Sequence, residues 1–235
     1  MRSPRATLLL PLLALLICLH ALTACSDGRQ WDDEVTAAER LKQVGAAVQH
    51  YAMSHYGRLP AAAAPMANDG PPVSWRVLLV RSGFVNGSRD YRVEEPWDSP
   101  HNLELLKKMP DVFKPAGGPE TPQGHTRVRA ILGPSTVFDQ KTMRIKDRKL
   151  TLLLVETDEA VPWTKPEDWE LDPGDPLKGL GHLSPGRFLA FEAQGNVVKV
   201  LTEAGGQRVL EAMLAGDGKP ESIEGLIEKI EPQKR

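Results

Sequence analysis

The sequence predicts an α+β fold, in which helices and strands occupy separate parts of the chain. Apolar residues recur at three- and four-residue steps from Asp32 to Tyr56, which predicts a long N-terminal helix. Apolar runs rich in β-branched residues follow in the second half, and they predict strands. Because the helices lie mainly at the two ends of the chain, a doubly wound parallel sheet is not expected.

The first helix is the clearest element. Asp32, Asp33 and Glu34 lie in its first turn, where acidic side chains favour the helix dipole, and Gly57 ends it. Its predicted apolar face consists of Val35, Ala38, Leu41, Val44, Val48, Tyr51 or Ala52, and His55.

Two short helices with polar caps are predicted in the middle of the chain. Ser74 caps the first, W-R-V-L-L-V, which Gly83 ends, although a strand is an alternative. Ser99 caps the second, with Pro100 at its first position. The buried side of this second helix is predicted to be Leu103, Leu105 and Leu106.

The predicted strands end in a hairpin, and two helices follow. The strands are a short one at Val112-Phe113, one from Thr126 to Leu132, and a buried one from Lys149 to Glu156. The hairpin joins R-F-L-A-F-E to N-V-V-K-V-L through a turn that contains Gly195. The C-terminal helices are predicted from Gly206 to Ala215 and from Ser222 to Ile230.

The first 24 residues have the features of a lipoprotein signal peptide. Arg2 and Arg5 supply a basic start, and the apolar run from Leu8 to Leu22 is shorter than the ~20 residues that span a bilayer. The stretch L-T-A-C then matches a lipobox, in which Cys25 receives the lipid and residues 25–31 form a tether. The alternative is an ordinary signal peptide with an incidental cysteine near the cleavage site.

Composition excludes several classes of function. Both cysteines, Cys18 and Cys25, lie in or at the end of this leader, so the mature chain offers no disulfide, cysteine-based zinc site or thiol nucleophile. The chain has 29 basic and 31 acidic residues, and two of the basic ones lie in the leader. The mature domain is therefore mildly acidic. A nucleic-acid partner is therefore not expected.

Several stretches together resemble a known group of proteins. They are E-P-W-D-S-P-H-N with the following L-L-K-K-M-P, the earlier S-W-R-V-L-L, and the later A-V-P-W-T-K-P-E-D. The chain resembles, over roughly Glu39 to Leu201, the planctomycete-type family of exported pseudopilin-like proteins of unknown function. The resemblance implies a pilin-like domain over residues 32–203, with a long N-terminal helix on a small antiparallel sheet. Residues 204–235 would form a helical appendage.

The chain departs from this family in two places. A lipobox replaces the prepilin leader, so assembly into a pilus core is not expected. The family's His-x9-Asp-Gly hairpin motif aligns with Ser184 at the histidine position, Gln194 at the aspartate position and a retained Gly195. If that motif docks or sorts the protein, this chain has lost the function. The other family-motif positions singled out are Trp97, Asp98, His101 and Asn102.

Two groups of residues are candidates for catalysis, and each has an ordinary alternative. Asp98 and His101 would act as a pair, or Asp98 would accept backbone N–H bonds at the helix start while Trp97 packs over it. Glu156 and Asp158 end a buried strand, where acids are either catalytic or simply solvated. The histidines show no metal-binding spacing, so neither a metal nor another cofactor is expected.

Trp163 and Trp169 lie in a long polar loop with Lys165 between them. They would form a ligand or partner surface, or they would anchor the loop onto the sheet.

The expected function is a non-enzymatic interaction or structural module, anchored by lipid to the cell envelope on the periplasmic side. Envelope proteins would be its partners, and Ser26 favours the outer membrane under the enterobacterial sorting rule. One alternative is a small-ligand or glycan-binding protein that uses the two tryptophans. Another is an envelope hydrolase, which requires at least two of the candidates Asp98, His101, Glu156 and Asp158 to converge in one pocket. The sequence does not indicate an oligomeric state.

Overall fold

In the computed structural model, the described residues are 33–65, 70–134, 136–138, 151–181, 183–206, 208–209, 225 and 227–230. The predicted signal peptide, Cys25 and its tether lie outside these ranges, as does most of the predicted C-terminal appendage.

A single long helix packs on one face of a sheet. Helix α1 spans residues 33–54, close to its predicted bounds. Leu41, Val44 and Val48 on its inner face are at most 1 % exposed. The helix ends before Tyr56, whose φ of 57° is left-handed. His55, predicted on the apolar face, is instead exposed because it lies beyond the last helical residue.

Gly45 marks the closest approach of α1 to the sheet. A Cβ atom built at this position would overlap the ring of Phe191, which is fully buried in the sheet below. Glycine in a helix interior costs about 1 kcal/mol relative to alanine. Here it lets the backbone of α1 lie directly against an aromatic ring.

Among the described residues, six strands form the main sheet, and two form a separate small one. The small sheet pairs β1 (Ala63–Pro65) with β2 (Pro72–Ser74). The main sheet has the order β5-β3-β4-β6-β7-β8, antiparallel except between β3 and β5. Its strands are β3 (His125–Leu132), β4 (Leu152–Pro162), β5 (Trp169–Glu170), β6 (Arg187–Glu192), β7 (Val197–Leu201) and β8 (Ile227–Lys229).

Both faces of this sheet are covered. Alternate residues of β4 divide between them: Leu154 joins the core shared with α1, and Val155 joins a second core. The second core contains Trp169 of β5 and Leu180 from the loop that follows β5. The α+β prediction is confirmed, and the predicted strands at β3, β4, β6 and β7 are present.

The short helices begin as predicted. Helix α2 spans Trp75–Arg81, capped by Ser74, whose side chain accepts from the amide of Arg76. Helix α3 spans Pro100–Glu104 and runs into a 3-10 turn at Leu105–Lys108.

Three predictions about other elements are wrong. The stretch around Val112-Phe113 is a 3-10 turn, Asp111–Phe113, and not a strand. Leu103, predicted on the buried side of α3, is 39 % exposed, because the buried face runs through Asn102 and Leu105 and Leu103 lies off it. Residues 227–229 form β8 and not the end of a helix, since pairing with the outer edge of β7 satisfies their backbone groups. Of the other predicted C-terminal helix, only residues 206, 208 and 209 are described, and they are helical.

Within the described part of the chain, no helix is both long and apolar enough to span a membrane.

Candidate functional site

The stretch around Asp98 and His101 is built as the start of a helix. The Ser99 hydroxyl accepts from the amide of Asn102 at 3.2 Å and donates to Glu95 at 2.7 Å. Pro100 occupies the first helical position, as predicted.

Asn102 organises this helix start, although the sequence alone did not assign it that role. Its side chain is fully buried and accepts from the amide of Arg92 at 3.0 Å. Its amide nitrogen donates to the carbonyls of Arg92 and Pro96, both at 3.0 Å. Asp98, expected to accept backbone N–H bonds, is exposed and bonds to none of the described residues. The Ser99 hydroxyl caps the helix instead, and Asn102, within α3, holds the backbone of the preceding loop.

His101 and Trp97 also have structural contacts. The His101 imidazole Nε2 lies 2.8 Å from the backbone carbonyl of Asp90. Trp97 is half-buried, and the Lys165 ammonium lies 5.5 Å from the centre of its ring. This cation–π contact joins the P-W-D-S-P-H-N stretch to the P-W-T-K-P-E-D stretch.

Both tryptophans of the long loop are anchors. Trp163 is 1 % exposed, donates to the carbonyl of Leu105 at 3.1 Å and stacks on Phe113. Trp169 is 6 % exposed and donates to the carbonyl of Lys178 at 3.0 Å. Sugar binding uses exposed aromatic faces, so the predicted platform of Trp163 and Trp169 is wrong.

Lys165, the third predicted surface residue, is half-buried and forms an ion pair with Glu167. Its cation therefore stays within the loop, between Trp97 on one side and Glu167 on the other.

A buried ion pair that sequence reasoning missed holds the same loop against α2. Arg76 Nη2 lies 3.0 Å from Asp168 Oδ1, and neither side chain is more than 1 % exposed. The indole of Trp75 donates to both carboxylate oxygens at 3.0 Å, and the amide of Ala130 donates to Oδ1 at 2.8 Å. Burial raises the pKa of Asp168, and Arg76 with these donors opposes the rise. The signal in the sequence was an arginine inside an otherwise apolar helix.

The four candidate catalytic residues fall into two separate groups. The pKa of Glu156 is shifted by the charges of Arg127, Glu34, Arg40 and Asp158. His101 instead influences the pKa of Asp90 and of Glu95, and Asp98 influences the pKa of Tyr91. Among the described residues, no hydrogen bond or ion pair joins the first group to the second. The described contacts therefore do not bring all four candidate residues into one cluster.

The start of α1 contributes a charged cluster that sequence reasoning did not assemble. Glu34 is 7 % exposed and lies 2.9 Å from Arg187 Nη2 on β6, and it also forms an ion pair with Lys199 on β7. Burial opposes ionisation of Glu34, but Lys199 and Arg187 outweigh it and lower its pKa. Glu156 faces this cluster from β4.

The hairpin at the family-motif positions is held by a neighbouring glutamate. The carboxylate of Glu192 accepts from the amides of Gln194 at 2.9 Å and Asn196 at 3.2 Å. Gly195 has a φ of 100°, which favours glycine. Ser184 accepts from the amide of Arg187 at 3.0 Å. The turn therefore forms without the aspartate of the family motif.

No further site is evident among the described residues. A depression of about 410 Å³ lies between Met109, Lys114 and the loop at residues 115–125. Half of its lining is proline and glycine, and the lining carries no cluster of reactive side chains. The described residues contain no group of three or more His, Cys, Asp or Glu placed to hold a metal ion.

A comparison with known proteins found no match to this chain among protein-family models, curated proteins or solved structures.

Proposed function

We propose that this chain is a lipid-anchored protein of the cell envelope, whose pseudopilin-like domain acts as a non-enzymatic interaction or structural module. The observation that carries the proposal is the order of segments at the N-terminus. A basic start, an apolar run and L-T-A-C ending at Cys25 follow one another as lipoprotein processing requires.

The packing of α1 on a mainly antiparallel sheet supports the pseudopilin-like part of the proposal. The resemblance to exported pseudopilin-like proteins implies a long helix and a small sheet, and the pilin-like arrangement itself is part of the proposal. The two stretches that carry the resemblance also contact each other, through Trp97 and Lys165.

The geometry of the candidate residues supports a non-enzymatic role. His101 is engaged with a backbone carbonyl, and Asn102 and Ser99 build a helix start. Trp163 and Trp169 are buried and anchor a loop. These residues hold the domain together and present no assembled reaction centre.

The proposed anchor places the domain close to a membrane. Helix α1 begins at residue 33, eight residues after Cys25. Eight extended residues reach roughly 27 Å, so the start of α1 stays within that distance of the lipid. Two or three acyl chains on Cys25 would hold the protein firmly, whereas one chain binds only marginally.

Metabolic labelling with radioactive palmitate tests the proposal. Cells that express the wild type are expected to label the protein and to retain it in the membrane fraction. Cys25→Ala should lose the label and shift the protein to the soluble fraction. Cys18→Ala is the matched control, because Cys18 lies inside the apolar run and should be dispensable. Undiminished labelling and retention of the Cys25 variant would refute the anchor.

A further inference from the structure

The depression at residues 115–125 has two adjacent glycines in its wall. Gly117 and Gly118 have φ values of 67° and 75°, a left-handed conformation that favours glycine. Pro119 and Pro122 continue the lining, and both are exposed. The wall therefore offers proline rings beside backbone that carries no side chain, a surface suited to a flat apolar group.

Helix α1 begins against this wall. A Cβ atom built at Gly117 would overlap the side chain of Asp33, the first described residue of α1. Two turns further along the helix, Arg40 donates to the carbonyls of Lys114 at 3.0 Å and Pro115 at 2.9 Å, and both of these residues line the depression. The start of α1 is therefore fixed beside the depression.

The far side of the depression is held by the main sheet. Arg127 of β3 donates through Nη2 to the carbonyl of Pro119 at 3.3 Å and to the hydroxyl of Thr121 at 3.1 Å. The carbonyl of Gly124 accepts from the amide of Trp163 at 2.9 Å. Because both sides are tied to the fold, the depression keeps its shape without an occupant.

The chain itself supplies a large aromatic side chain next to this depression. Trp31 precedes Asp33 by two residues and lies outside the described residues. Two extended residues span at most roughly 7 Å, so the backbone of Trp31 stays close to the wall at Gly117. An apolar residue just before a helix often packs on the fourth helical residue, which here is Thr36. A threonine offers one methyl group, which is too little to cover an indole.

The size and chemistry of the depression fit an indole ring. Its volume of about 410 Å³ is near the lower end of the ~300–1,000 Å³ of small-ligand pockets, which suits a single large side chain. Proline rings pack flat against an aromatic face, and the thioether of Met109 in the lining makes favourable contacts with ring edges. A ring joined to the same chain also has a high effective concentration, so it outcompetes a partner from solution.

We propose that the depression at residues 115–125 is an intramolecular docking site for the indole ring of Trp31. The docked ring packs on Pro119 and Pro122 and extends the contact between α1 and this loop by two residues towards the N-terminus. This site exists whether or not the chain carries a lipid.

One consequence rests on the proposed function. With Trp31 docked, the tether to the lipid runs only from Cys25 to Trp31. These six residues reach roughly 20 Å when extended, so the domain is held closer to the membrane than a tether ending at Asp33 allows.

Bimane fluorescence of the full-length protein in detergent tests the docking. Cys18→Ala and Cys25→Ala together remove both cysteines, so a bimane attached to Glu120→Cys labels the exposed rim of the depression alone. Tryptophan quenches bimane on contact, whereas phenylalanine does not. Adding Trp31→Phe should therefore raise the emission without disturbing the fold, and the quenching that it removes should be static, with an unchanged fluorescence lifetime. Quenching by the other tryptophans is common to both proteins.

Two further label positions complete the test. Gln123→Cys, also exposed on the lining, should show the same loss of quenching. His50→Cys is the matched control, because it is exposed on α1 and lies 17 residues, or about 26 Å, from Asp33. Its emission should be equal with and without Trp31→Phe.

Equal emission at position 120 with and without Trp31→Phe overturns the docking, and it is the result expected if the ring inserts among detergent or lipid headgroups instead. Quenching that appears only as a shortened lifetime also overturns it, because it reports collisions of an undocked ring. These proteins carry no lipid, so failure of the docking leaves the palmitate experiment unaffected, and the two failures are distinguishable.

Discussion

Replacing Glu156 with glutamine should remove a large part of the dependence of stability on pH. Glutamine has nearly the same size as a protonated glutamate, and it cannot ionise. The pKa of Glu156 is about 7 in the folded protein, against 4.5 as the ordinary value. A carboxyl group with a raised pKa in the folded state favours folding most at low pH.

The sign and size follow from proton linkage. As the pH rises from 4.5 to about 7, the unfolded chain loses its proton first, so the free energy of unfolding falls. Each unit of pKa difference is worth 1.36 kcal/mol, so the wild type should lose about 3 kcal/mol across this window from Glu156. Above pH 7 this loss is complete, and the curve should flatten.

Urea unfolding at pH 5, 6, 7 and 8 measures this effect. The difference in unfolding free energy between Glu156→Gln and the wild type should grow by about 2.5 kcal/mol from pH 5 to pH 8, because part of the loss occurs already below pH 5. Other titrating groups contribute equally to both proteins and cancel from that difference. Glu159→Gln, on the same strand, should follow the wild type. Parallel curves for the wild type and Glu156→Gln would refute the reasoning.

Three further variants test the packing of the domain. Asp168→Asn leaves Arg76 buried without its counter-charge and should cost about 3–5 kcal/mol of unfolding free energy in urea; a loss below 1 kcal/mol would contradict the pair's role. Asn102→Ala leaves several backbone groups at the helix start unpaired and should cost about 2–3 kcal/mol, with a lower thermal midpoint; an unchanged midpoint would contradict this. Gly45→Ala forces a methyl group against Phe191 and should cost about 1–3 kcal/mol despite alanine's better helix propensity, and a gain in stability would show that α1 is packed less closely.

The elements predicted correctly depend on short-range chemistry. Ser74 and Ser99 accept hydrogen bonds from amides two and three residues later, so each cap can be recognised from its neighbours. The hairpin is similar, because Gly195 and the flanking alternation lie within a few residues. Helix α1 is long enough for its periodicity to be unambiguous.

The features that the sequence did not predict depend on contacts between distant residues. Arg76 and Asp168 are 92 positions apart, and Glu34 and Arg187 are 153 apart. Each partner looks like an ordinary charged residue in its own segment. β8 shows the same limit, because a three-residue strand carries too little periodicity and forms by pairing with β7.

The interpretation of the two tryptophans was open for another reason. Trp163 and Trp169 occupy a polar loop rich in proline, and such a loop can expose its aromatic side chains or bury them. The structure buries them in two different cores, on opposite faces of the sheet. Loop composition cannot decide which outcome occurs, because the sheet that receives the rings is assembled from other segments.

The most direct test of the proposed function is mass spectrometry of the N-terminal peptide of the protein extracted from membranes. The proposal predicts that the chain begins at Cys25 and that this residue carries a diacylglyceryl group. A chain that begins at an unmodified residue, or that retains residues 1–24, would contradict the central claim.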